Sequence, residues 1–144
     1  MPTPFESAQL ILRLYELRRD ETLRKARDFF TFFDPQSPQE FIGGMMGSDG
    51  AYVRMVISYW DMAASFVKSG AIDMNMFVEA SGEFIFVFGK MEPLLPGIRE
   101  AFGHPGFLAN LEWLALNMPN GRQRVDDTVT RMRAMLAARA AQTA

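Results

Sequence analysis

The segment YVRMVISYWDMAASFVK, residues 52–68, decides the fold class. Its polar residues are Arg54, Ser58, Asp61, Ser65 and Lys68, spaced by four, three, four and three positions. At about 100° per residue they fall in one narrow stripe, and every other position is apolar. A helix that is apolar around most of its circumference is packed on several sides. The reading is an all-α fold: an irregular bundle of five or six helices around a central apolar helix at about residues 50–69, with 1–144 as a single helical domain.

Upstream of that helix, Thr3-Pro4-Phe5-Glu6 is a capping box with proline at the first helical position. Phe5, Ala8, Leu12, Tyr15, Leu23, Ala26, Phe30 and Phe33 then trace one face as far as Asp34-Pro35, predicting a single long helix bent near Arg18–Glu21. A second seam, Leu10-Leu14-Leu17, predicts that its first half is covered on two sides. Ser37-Pro38-Gln39-Glu40 repeats the capping pattern and opens a short helix that ends in the glycine-rich stretch 43–50. Downstream, Gly70 stops the central helix and Asp73 caps the next, which turns Phe77, Ala80, Phe84, Val87, Phe88 and Met91 inward. Phe84–Phe88 is strand-like in composition, but no other stretch offers a pairing partner, so helix is expected. Pro93 and Pro96 precede a helical turn at Gly97–Phe102. Phe107, Leu111, Leu114 and Met118 mark one further helix, and Val125, Val129, Met132 and Leu136 the last.

Composition narrows the function classes without choosing one. The apolar share of 49% and charged share of 22% suit a globular protein, and a formal charge of −2 gives no global attraction to nucleic acid or anionic lipid. With no cysteine, disulfides and thiolate metal sites are excluded. MPTPFES lacks the regions of a signal peptide, and charges interrupt every apolar segment short of the roughly eighteen residues a membrane span needs. A soluble cytoplasmic protein is the expectation.

Few residues suggest chemistry. Glu79 and Glu83 lie one helical turn apart and could face a metal together, but the sole histidine, His104, sits in a turn and no Glu-x-x-His motif exists. A solvated acidic face is the plainer reading. Phe86 falls among Glu79, Glu83 and Lys90 on what should be a polar face, flanked by Gly82 and Gly89, where another backbone can come close. That marks either a contact for a partner, together with Trp113, or a face covered within the chain by the first or last helix.

The stripe on the central helix admits three readings: a solvent edge, an internal ion pair of Asp61 with Arg54, Lys68 or Arg19, or a pocket lined by Arg54, Tyr59, Trp60 and Asp61. The basic run Arg13, Arg18, Arg19, Arg24, Lys25 and Arg27 alternates with Glu16, Asp20, Glu21 and Asp28. It reads as a salt-laced exposed face with Asp20–Arg24 and Glu21–Lys25 pairs, and not as a nucleic-acid surface. The glycine-rich stretch lacks the Gly-Lys-Ser/Thr ending of a phosphate loop, and Gly47-Ser48-Asp49 serves as a hinge and cap. No acid, base and nucleophile converge, so neither catalytic residues nor a cofactor are expected.

The segments Leu14-Tyr15-Glu16-Leu17-Arg18, Tyr59-Trp60-Asp61-Met62-Ala63-Ala64 and Lys68-Ser69-Gly70-Ala71-Ile72-Asp73 resemble a family of small helical bacterial proteins of unknown function. The resemblance spans about Ser7 to Leu114 and implies the fold alone, with no catalytic residues to carry over. The expectation is a non-enzymatic helical interaction domain that self-associates as a homodimer or meets a protein partner. The alternative is a small-molecule domain with an apolar pocket beside the central helix.

Overall fold

In the computed structural model, which describes residues 1–143, the chain is a bundle of nine helical segments and one 3-10 turn, with no strand among the described residues. The capping box at Thr3 and Glu6 forms as expected and starts α1 (Pro4–Leu17). The expected long helix is broken, not bent. Asp20 turns its carboxylate back onto the Leu23 N–H at 3.0 Å and starts α2 (Glu21–Phe32) afresh. A side chain that satisfies a backbone donor in this way competes with continuing the helix. The break lets α1 pack on α5 (Met74–Ala80) while α2 packs on the central helix α4 (Gly50–Lys68).

The face that α1 buries also differs from expectation. Ser7 and Leu14 point inward, whereas Phe5, Leu12 and Tyr15, and the seam residues Leu10 and Leu17, are exposed. Two tertiary bonds set this rotation. The Asp73 N–H donates to Ser7 Oγ at 2.9 Å, and the buried Tyr59 hydroxyl donates to the Leu14 carbonyl. Hydrogen bonds taken out of water outweigh a preference between two comparably apolar faces.

Ser37 caps α3 (Pro38–Met46), which runs on through Gly43 and Gly44 before the chain turns into α4. Asp49 stands at the N-cap of α4 without a side-chain bond. Gly70, at φ 85°, ends α4 in the left-handed region, and Asp73 caps α5 through the Met76 N–H. Ser81 and Gly82 split the next expected helix, so α5 gives way to α6 (Glu83–Met91). The phenylalanine-rich segment is helical, and α6 buries all of its residues but Glu83 and Phe86.

A 3-10 turn (Glu92–Leu94) leads into α7 (Leu95–Phe102), α8 (Ala109–Asn117) and the long α9 (Gly121–Thr143). The core gathers on α4, which packs mainly on α2 and α8: Val53, Trp60 and Ala63 share one buried cluster with Phe84, Phe88 and Met91 of α6 and with Phe30, Phe77 and Leu111. α9 crosses α6 at Gly89, where a Cβ would come within 2.7 Å of Val129 Cγ2. That crossing fixes how near the two helices lie.

Candidate functional site

The elbow between α1 and α2 gathers the densest polar chemistry in the fold. Arg27, midway along α2, grips Glu83 with its Nε at 3.0 and 3.1 Å and its Nη2 at 2.9 Å. Glu83 stands in the first turn of α6, where the helix dipole favours a carboxylate, and it also accepts the Trp60 Nε1–H at 3.0 Å. The Glu83 hydrogen bond raises the pKa of Arg27, with burial opposing it. Glu83 is thus a paired anchor, not part of a solvated acidic face. Glu79 lies exposed on α5, across the break, so the two carboxylates do not share a helix. No cluster of three or more His, Asp or Glu with metal-holding geometry occurs among the described residues.

Trp60 carries the next layer. Its ring meets Tyr59 edge-on at 4.9 Å, and the Arg18 guanidinium lies 5.2 Å from the Trp60 centroid and 5.4 Å from that of Tyr15. Burial pushes the Tyr59 hydroxyl up to about 12, against the pull of Arg18 and Arg27. Arg18 Nε is buried without a hydrogen-bond partner, the sole such side-chain atom among the described residues. Outside this layer, Arg18, Arg19, Arg24, Arg27 and Tyr15 line an open cleft of about 350 Å³. Three acids of the basic run are engaged elsewhere: Asp20 caps α2, Glu21 meets Lys25 at 3.4 Å and Glu16 meets Arg13 at 3.7 Å. The expected Asp20–Arg24 pair is therefore not made.

The expected pocket residues are divided between two sides of α4. The space touching Tyr59 and Trp60 is about 20 Å³, room for little more than a water. Arg54 and Asp61 border a separate groove of about 420 Å³, with Met45, Ile57, Phe107 and the exposed His104. Arg54 Nη1 donates to the Met45 carbonyl at 2.9 Å. Asp61 accepts the Leu111 N–H at 2.9 Å and Asn110 Nδ2 at 3.2 Å, so it caps α8 from another helix. The stripe is otherwise a solvent edge: Arg54, Ser58 and Lys68 are exposed, and Asp61 makes no ion pair among the described residues.

The residues marked as a contact face lie apart. Phe86 is half-buried beside Phe30, Thr31 and Met135, Gly89 is occupied by α9, Gly82 is exposed, and Trp113 is half-buried on α8. Sequence reasoning put Lys90 on the polar face next to Phe86. It is 1% exposed. Its Nζ donates to the carbonyls of Phe30 at 2.5 Å, Thr31 at 3.2 Å and Phe33 at 2.6 Å, closing the C-terminus of α2. The Phe30 and Phe86 rings lie 4.7 and 4.8 Å from the ammonium. Burial lowers Lys90 to about 7, with Asp34 pulling it up and Arg133, itself 2.7 Å from Asp34, pushing it down. The signal in the sequence was a lone lysine in EFIFVFGKM, a segment otherwise too apolar to have a wet side.

Residues 4–118 match a described protein family, a domain of unknown function, DUF4760. The chain belongs to this family. The DUF4760 domain takes in α1 to α8 and ends at Met118, so the arginine cleft, the Asp61 cap and the Lys90 cage all fall inside it, while α9 lies beyond. Neither the curated proteins nor the solved structures compared with the chain gave a match.

Proposed function

We propose that this DUF4760 domain is a non-enzymatic interaction module that self-associates, with the outer face of α1 as its contact. The carrying observation is the exposure of Phe5 at 71%, Leu12 at 58% and Tyr15 at 58% on one side of a helix. Apolar side chains collected on one face, and not scattered, are the usual mark of a protein contact. The occupant that fits is a second copy. Glu6 and Arg13 lie seven residues apart on the same flank of that face, so antiparallel two-fold pairing would set each copy's Glu6 beside the other's Arg13.

Native mass spectrometry of the wild type and of a Phe5→Glu/Leu12→Glu variant tests this. A dimer at low micromolar concentration is expected for the wild type and a monomer for the variant, with thermal unfolding nearly unchanged because both side chains are exposed. A wild type that stays monomeric, or a variant that dimerises equally, refutes the assignment. A second reading, a small-molecule domain, is favoured by the groove of about 420 Å³ beside α4, where Met45, Ile57 and Phe107 give an apolar lining and Arg54 a charge. In the same spectra it calls for a monomer carrying a reproducible added mass.

A further inference from the structure

We propose that the arginine-lined cleft at the α1–α2 elbow binds a polyphosphate group. Arg18 and Arg19 reach it from the end of α1, Arg24 and Arg27 from α2, around an open space of about 350 Å³. That volume lies within the ordinary range of small-ligand sites.

Charge is the first argument. Arg27 is neutralised by Glu83, but Arg18, Arg19 and Arg24 have no ion pair and no side-chain hydrogen bond to a carboxylate among the described residues. Three uncompensated guanidiniums held around one space repel one another. An oxyanion placed between them removes that repulsion and gains charge-assisted hydrogen bonds. Pre-organisation is the second. Arg18 is held by the rings of Tyr15 and Trp60, and its buried Nε lacks the acceptor that buried donors normally have. Arg27 is fixed by three bonds from Nε and Nη2 to Glu83, leaving Nη1 without a partner among the described residues.

The ligand class follows from the count. Three free cations match the charge of a diphosphate or triphosphate better than that of one carboxylate, and a planar guanidinium fork suits phosphate oxygens. A nucleic-acid strand fits less well, because Glu16, Asp20, Glu21 and Asp28 alternate with the arginines along this stretch of chain.

Pyrophosphate titrated into the full chain, followed by calorimetry and by Trp60 fluorescence, tests the site. One saturable site per chain is expected, tighter for pyrophosphate than for sulfate at equal ionic strength. Arg19→Gln and Arg24→Gln, both at exposed positions, should each weaken it about tenfold, whereas Arg139→Gln on α9, outside the cleft lining, should leave it unchanged. The Phe5→Glu/Leu12→Glu variant should bind as the wild type does, which separates this site from the α1 contact. No saturation at millimolar pyrophosphate overturns the proposal, as does wild-type affinity in both cleft variants. Tighter binding of a single-stranded oligonucleotide than of pyrophosphate overturns it in favour of a strand.

Discussion

Lys90 occupies a place that few lysines hold. Three carbonyls at the end of α2 accept its ammonium and two phenyl rings close over it. Removing the charge without removing the volume leaves those carbonyls unpaired, so Lys90→Met should destabilise the fold by about 1–3 kcal/mol. The pH dependence carries a definite sign. Because burial lowers the group from 10.5 to about 7, the unfolded chain holds a proton that the folded chain gives up between those values. Stability from this group therefore rises with pH across that window, by at most about 1.4 kcal/mol per pH unit. Urea denaturation of wild type and Lys90→Met should diverge from neutral to alkaline pH, the wild type gaining. Tyr59, pushed up to about 12, acts oppositely, but only above its ordinary value of 10.0. A helical wheel gave no hint of this site, because the acceptors come from backbone nearly sixty residues earlier in the chain, and a wheel records only side-chain type.

At the scale of the element, capping divides by the range over which it acts. Thr3, Ser37 and Asp73 cap helices three residues ahead, a spacing that a sequence displays openly. Asp61 caps α8 from fifty residues away, and Leu108, at φ 54°, offers no cap of its own. Asp61→Ala should cost about 1 kcal/mol and speed hydrogen exchange first at the Leu111 amide, with α4 protected as before. Equal loss of protection in α4 would show that Asp61 holds more than the start of α8. The same division explains the helices. Central α4 and helical Phe84–Phe88 were legible because apolar periodicity and the lack of a pairing strand are local facts. The face presented by α1 was not, since Phe5-Leu12-Tyr15 and Leu10-Leu14-Leu17 are both apolar and bonds from Tyr59 and Asp73 choose the rotation. The cleft was half legible: its arginines stand in the sequence, but Asp20, spaced to pair with Arg24, serves the backbone instead.

Across the whole molecule, the family domain ends where α9 begins, yet α9 contributes to the enclosure of the core. Val129 presses on Gly89, Arg133 meets Asp34 beside the Lys90 cage, and Arg139 stacks 3.5 Å over Phe32. The chain carries three lysines, and Lys25 and Lys68 are exposed. An acylating reagent should therefore mark those two within moments and leave Lys90 untouched until α2, α6 and α9 separate. Its rate of marking would then follow the fraction of molecules open at any instant. If Lys90 were marked as fast as the other two, the enclosure described above would be wrong. Otherwise one buried amine serves as a chemical clock for the opening of the entire domain, readable in the native protein without denaturant.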